Sequence, residues 1–424
     1  MSQERILILT LLFLVGAYLG RFANRCAVRI PQKFELWETL VHIFKSYPLP
    51  FPGLKRRWYQ LLPIIGTTFL PGWSPYSGRH VRQREPWVEL VTGLLMVALY
   101  LVEVPASLRF EHSLLYTPLM PWQLLPPDVV APIPLISRFL FHAVLFEALI
   151  IATLIDYDLY IIPDGVTVPA MAIGFLASLT GAPLFIVPLW FQDPIVLDSF
   201  QPLFPEFLAA FLGQPALPQW IINYPWVHML LHSIVGFVVG GGIIWLVRII
   251  GHFALGKEAM GFGDVILMAM IGMFIGWQPV VTVFFIAPMI ALVVVILMFP
   301  FIQNKMIPYG PYLSLGTILM ILCWPQIWPY AENFFKMGII VPILAVIMSV
   351  MLLVTLSLMQ VLKRMAGISL DDDYPTWSSG DHLMFYNTKK SDQAPSTWKQ
   401  TNWPGEQAAQ GQSHLKSWQN GQRF

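Results

Sequence analysis

Four aspartates stand where apolar runs begin or end. The run "ALIIATLIDYDLYIIPDG" closes on Asp156, Asp158 and Asp164, and "KEAMGFGDVILMAMIGMFIGWQ" carries Asp264 just before an apolar stretch that reaches Trp277. A carboxylate at the centre of a bilayer costs about 2.5–3.5 kcal/mol on insertion scales, so an acid in such a run is a functional candidate by default. Asp156 continues the series Ala148, Ala152 at four-residue spacing, and those small side chains let another helix approach the carboxylate's own face. Asp264 follows Gly261 and Gly263 and heads a helix containing Ala269, Gly272 and Gly276, whose positive end favours a charged carboxylate. If the two helices pack together, the acids meet at one depth, and carboxyls within about 4–6 Å share a proton. That is aspartic-protease chemistry: the ionised acid takes a proton from water while the protonated one polarises the peptide carbonyl.

Plainer roles compete. Asp164 follows Pro163 and opens the next apolar run, where an aspartate caps backbone N–H groups. Asp158 reads as a solvated interfacial residue beside Tyr157 and Tyr160, and Asp264 could simply cap its helix. A second chemistry stays open at His228 and His232, four apart on one run, and at His142 and Glu147 on another. Such groups can hold a metal or relay protons, although the histidine pair lacks the glutamate of H-E-x-x-H. No G-x-S-x-G elbow offers a serine nucleophile.

The elements that must carry these residues belong to a membrane. Of 424 residues, 56% are hydrophobic and 12% charged, about half the charge of a soluble domain. A net charge of +1 and the absence of clustered bases with stacking aromatics exclude a nucleic-acid partner. Two distant cysteines, Cys26 and Cys323, build neither a disulfide framework nor a four-cysteine zinc site, and no metal is expected. A bilayer core of about 30 Å needs about 20 apolar residues per helix. Nine windows fit: 4–20, 87–104, 134–155, 166–189, 226–250, 264–277, 279–302, 308–328 and 339–362. The first is read as a retained helix, since no A-x-A cleavage site follows it.

The expectation is therefore an all-α polytopic membrane protein of about nine transmembrane helices. Residues 21–86 hold eleven of the 25 Lys and Arg, and 190–225 hold none. By the positive-inside rule, 21–86 form a small cytoplasmic domain and 190–225 an outer loop lying along the interface. Alternation then puts 156–165, 251–263 and the C-terminal tail on the cytoplasmic side. The expected divisions are a first helix at 1–20, the domain at 21–86, a membrane core at 87–328, an additional helix at 329–362 and a disordered tail at 363–424. The glycines of "GFVVGGG" (236–242) could pack helices within one molecule or between two.

"MGFGDVILMAMIGMFIGW" resembles the G-x-G-D motif of the type IV prepilin peptidases, membrane aspartic proteases. Upstream, "ALIIATLIDYDLYIIPDGVTVP" is similar to the family's first-aspartate segment, an apolar helix ending in I-D followed by P-D or P-N. Downstream, "MIPYGPYLSLG" is similar to its I-P-F-G-P-F-x-x-x-G segment. "GRFANRCAVRIP" resembles the G-S-F-x-N-V-x-x-x-R-x-P entry to the cytoplasmic domain, and "RQREPWVEL" its R-Y-P-x-V-E exit. These segments are collinear over residues 20–316.

The resemblance implies catalytic aspartates at Asp156 and Asp264, supported by Gly261, Gly263, Pro163, Asp164, Pro308, Gly310 and Pro311. It implies cleavage of type IV prepilin-like or pseudopilin proteins at the cytoplasmic face of a bacterial inner membrane, after a Gly that ends a basic leader. Prepilin or pseudopilin substrates and the lipid bilayer are the implied partners. Proteolysis needs no cofactor; many members also methylate the new N-terminus with S-adenosylmethionine. This chain departs from the pattern. It lacks the paired C-x-x-C cysteines of bifunctional members, has Ile266 in place of the usual Lys after G-D-V, and carries Arg21 and Arg25 in place of a serine and a valine. A catalytically inactive pilus or secretion assembly factor is the alternative, and a metal- or proton-handling membrane protein the other.

Overall fold

A computed structural model describes residues 3–32, 36–44, 62–68, 84–104, 132–182, 184–190, 224–255, 260–298 and 308–365, with isolated positions between 193 and 223. In chain order the helices are α1 (Gln3–Arg29), α2 (Leu36–Phe44), α3 (Ile65–Thr68), α4 (Glu85–Glu103), α5 (Pro132–Leu159), α6 (Asp164–Ser178), α7 (Pro225–Leu255), α8 (Phe262–Ile275), α9 (Trp277–Met298), α10 (Gly310–Leu322), α11 (Trp324–Phe335) and α12 (Ile340–Met365). Among the described residues there is no strand, so the all-α polytopic expectation holds.

Each of the nine apolar windows contains helix, but the count of spans differs. Six helices among the described residues are long and apolar enough to cross a membrane, or seven if α10 and α11 form one broken span. The pair bends by 97° at Cys323, where Pro325 follows and cannot continue a straight ladder. With 15 and 14 residues, α6 and α8 reach only about 22 Å at 1.5 Å per residue, short of a hydrocarbon core of about 30 Å.

Window 166–189 is helical only to Ser178. Beyond Gly181, at φ +70°, residues 184–187 are buried without being helical. Irregular backbone at membrane depth survives only where protein satisfies it. Here Trp277 Nε1–H donates to Leu189 O at 2.6 Å and Gln278 Nε2–H to Pro188 O at 2.8 Å, while Leu189 N–H donates to His228 Nε2 at 2.9 Å.

The expected boundary at residue 20 falls inside α1, which continues to Arg29. Arg21 and Arg29, beyond it on α1, are buried. Arg21 pairs with buried Glu89 of α4 at 3.0 Å, and Arg29 donates to the carbonyls of His42 and Ile43 at 2.9 and 2.6 Å. The boundary at 328 likewise falls inside α11. Most of 45–83, much of the loop 190–225 and the tail from 366 onward lie outside the described residues. Where that loop is described, Asp193 N–H donates to Lys336 O at 3.0 Å, and Leu197 packs on Ile340.

The core centres on α8. Leu267, Met268, Met270, Ile271, Phe274 and Ile275 are fully buried, and α8 packs against α5, α6, α7, α9 and α10. Its tightest neighbour is α7, antiparallel to it. A side chain on Gly236 would collide with the carbonyl of Gly272, and one on Gly272 with the carbonyl of Gly236, so only glycine admits this approach. The glycines of 236–242 thus serve packing within one molecule, although a Cβ on Gly242 would meet nothing. Outward, α12 presents Val346, Ile347, Val350, Met351 and Val354, as a lipid-facing helix must.

Candidate active site

The last turn of α5 carries Asp156, which is buried. Helix α5 ends three residues later because Tyr160 turns left-handed, at φ +57°, while its N–H closes on Asp156 O at 2.8 Å. A non-glycine residue there costs of order 1 kcal/mol, and the reversal sends Ile161 and Ile162 back into the core. Pro163 then stands at the N-cap of α6 with an extended backbone, φ −79° and ψ 143°, compatible with its fixed ring. The capping role expected for Asp164 differs in detail. Asp164 is the first residue of α6, exposed, and no side chain caps that end, so it acts on the helix dipole only.

Ile162 is where the three motif segments meet. A Cβ on Gly263 would lie 3.2 Å from Ile162 Cβ, and one on Gly310 3.2 Å from Ile162 Cδ1. The backbone of Gly310, at the start of α10, also lies directly on the Asp156 carboxyl: its N–H donates to that carboxyl, and a Cβ there would collide with Oδ2. Pro311 occupies the first turn of α10, where a missing N–H costs nothing, and Pro308 leads into it. The sequence expectation gave the face of Asp156 to the helix headed by Asp264 alone. In the structure α5 packs against both α8 and α10.

Asp264 lies in the first turn of α8, three residues after Gly261 at the N-cap. Its carboxyl accepts the Gly261 N–H. This is the reaching-back half of a capping box; glycine at the N-cap has no side chain to offer in return. Asp264 therefore caps its helix and, in addition, lies close enough to Asp156 for the two carboxyls to interact electrostatically. Each acid holds one backbone N–H, which fixes its direction. Ile266, in place of the lysine, is half-buried.

Other sequence candidates do not join this pair. Asp158 accepts both terminal nitrogens of Arg84 at 2.7 and 2.5 Å, an ion pair where a solvated residue was expected. His142 Nδ1 lies 2.9 Å from Glu103 Oε1, and Arg138 pairs with the same carboxylate; this cluster joins α4 to α5 and was not anticipated for Glu103 or Arg138. Glu147 lies nine residues before Asp156, two and a half turns away and thus on the opposite face of α5. Its carboxyl oxygens have no hydrogen-bond partner among the described residues.

His228 and His232 lie at the other end of α8, where His232 contacts Gly276. A backbone N–H bonded to His228 Nε2 makes that nitrogen an acceptor and puts the ring proton on Nδ1, leaving His228 no lone pair for a metal. His232 stacks on Phe185 with ring centroids 4.0 Å apart. Sequence reasoning also passed over Tyr309, whose hydroxyl is buried without a partner at the head of α10.

The fold and the site define a class: a polytopic all-α membrane protein that gathers two acids, each at a helix end, against a glycine-containing turn. Comparison with known proteins agrees. Residues 207–296 match the type IV leader peptidase family, and residues 14–102 match the bacterial peptidase A24 N-terminal domain. The first stretch contains Asp264; Asp156 and the 308–311 segment fall outside both. A prepilin leader peptidase/N-methyltransferase of Klebsiella pneumoniae is 26% identical, over 63% of this chain and 85% of its own. Its namesake in Xanthomonas campestris is 24% identical, over 71% and 86%, and that of Pseudomonas putida 22%, over 80% and 98%. No solved structure matches with significance. Over residues 207–296 the chain is thus similar to the type IV leader peptidase family, and over 14–102 to the N-terminal domain found with it.

Proposed function

We propose that this protein is a membrane aspartic endopeptidase that removes the leader of type IV prepilin-like or pseudopilin proteins, with Asp156 and Asp264 as the catalytic acids. The observation that carries the reading is the convergence of three separate segments on Asp156: its own helix end, the Gly261–Asp264 turn whose carboxyl it senses, and the Gly310 N–H. Two interacting carboxyls hold one proton between them. The ionised member takes a proton from water as the water oxygen adds to the scissile carbonyl carbon, and the protonated member gives its proton to the carbonyl oxygen. Collapse of the tetrahedral species returns one hydroxyl proton to the acid that had given it, re-forms the carbonyl and breaks the C–N bond, and the amine leaves with the proton taken from water.

The site faces the cytoplasm of a bacterial inner membrane in this reading. Arginines support that orientation: Arg84 pairs with Asp158, two residues from Asp156, and Arg21, Arg25 and Arg29 line the same end of α1. The tail from 363 would lie on that side too. Methylation of the new N-terminus rests on the relatives' name alone. S-adenosylmethionine would be its methyl donor; among the described residues of 21–86, Arg21 bonds Glu89 and Leu62 O, Asn24 bonds Glu85 O and Arg29 bonds His42 O and Ile43 O, contacts that serve the fold.

Co-expression with a prepilin tests the reading. Wild type should shorten the prepilin by its leader, and Asp156→Ala and Asp264→Ala should each leave it full length. Retained cleavage in either variant refutes the pair.

A further inference from the structure

Tyr309 sits at the N-cap of α10, and its carbonyl accepts the N–H groups of Tyr312 and Leu313 at 3.0 and 3.2 Å, so its backbone is fixed. The ring packs against the core. Its hydroxyl is buried and has no hydrogen-bond partner among the described residues. A buried donor left unpaired is costly, and native structures retain few of them. The surroundings make this one informative. The next residue, Gly310, gives its N–H to Asp156, and the charge of Asp264 reaches the Tyr309 ring. A buried O–H with no acceptor among the described residues therefore belongs to the residue just before the Gly310 N–H that holds Asp156, within reach of the Asp264 charge.

We propose that Tyr309 is a further catalytic residue, donating its hydroxyl hydrogen bond to the carbonyl oxygen of the scissile peptide, so that its missing acceptor arrives with the substrate. The inference rests on the aspartyl reading of the same site. As water adds to the carbonyl carbon, the π pair moves onto that oxygen, which receives the proton of the neutral acid and the hydrogen bond of Tyr309. Tyr309 keeps its own proton throughout, and the C–N bond then breaks by the same collapse of the tetrahedral species. A donor aimed at developing charge in a water-poor site is worth more than the same bond in water. The need is particular to this chain: the family pattern has phenylalanine where Tyr309 stands and lysine where Ile266 stands, and the hydroxyl restores a polar hydrogen beside the acids from which the cation is missing.

The test uses the purified full chain in detergent with a prepilin whose basic leader ends in glycine. Tyr309→Phe removes one oxygen and keeps the ring, so its melting temperature should match wild type. Its kcat should fall about 10²-fold with KM unchanged, and Tyr312→Phe, one turn away, should cleave normally. Wild-type kcat in Tyr309→Phe, or a loss confined to KM, overturns the proposal. Asp156→Asn and Asp264→Asn run in parallel separate the two ideas. If both are inactive while Tyr309→Phe is unimpaired, only the role of Tyr309 falls; if either cleaves, the aspartyl reading itself fails.

Discussion

Gly310→Ala should disable the enzyme through one methyl group. The new Cβ would collide with Asp156 Oδ2, lie 3.2 Å from Asp156 Cγ and 3.2 Å from Ile162 Cδ1. Neither neighbour can yield freely, since Asp156 is held by the Gly310 N–H and Ile162 is buried. Restoring ordinary contact distances moves the carboxyl by about 1 Å, and a displacement of that size costs about 10²-fold in rate. Overpacking adds about 1–3 kcal/mol of destabilisation. Gly316 supplies the control on the same helix. A Cβ there would meet Ala287 at 3.6 Å, which is ordinary van der Waals contact, so Gly316→Ala should fold and cleave as wild type. Initial rates of prepilin cleavage by purified protein, with unfolding followed in parallel, decide the matter. If Gly310→Ala cleaves at the wild-type rate, Gly310 does not lie on the working carboxyl, and the packing of α10 onto Asp156 is wrong.

Three further outcomes are expected. Glu103→Gln leaves Arg138 buried and uncompensated, so it should lower stability by about 3–5 kcal/mol in denaturant titrations while folded protein still cleaves. Asp158→Asn breaks a partly exposed pair, with side-chain exposures of 28% for Arg84 and 11% for Asp158. It should cost no more than about 1 kcal/mol and leave cleavage intact, unlike substitution of Asp156 two residues away. Gly236→Ala sets a methyl against the Gly272 carbonyl, which no rotamer relieves. It should part α7 from α8 and reduce the yield of folded protein far more than Gly242→Ala, where the same methyl meets nothing.

Hydropathy is a local property, and every apolar window contains helix for that reason. Helix ends depend on partners elsewhere, and there the sequence misled. Nothing around Arg21 indicates that Glu89, 68 residues away, will bury it and let α1 run on to Arg29. Nothing in 179–189 indicates that Trp277 and Gln278 will satisfy an irregular segment. The acids were legible one at a time, Asp156 by the small residues on its face and Asp264 by the glycines before it. The third participant was not, because Gly310 has no chemistry of its own. A motif resemblance singled it out, and only the backbone of α10 laid against Asp156 explains why that position excludes a side chain. Tyr309 escaped notice because a tyrosine at a helix start looks interfacial until its hydroxyl proves to be buried.

The central claim is that Asp156 and Asp264 meet across the α5–α8 contact, and distance can test it without any activity. In a background with Cys26→Ala and Cys323→Ala, Asp156→Cys with Asp264→Cys should be joined by a short bifunctional thiol reagent, detected by mass spectrometry of the linked peptides. The pair Glu147→Cys with Asp264→Cys, which starts from the opposite face of α5, should not be joined. Linkage of the first pair alone is the result expected. Failure of the first pair in folded protein, or equal linkage of both, would contradict the account.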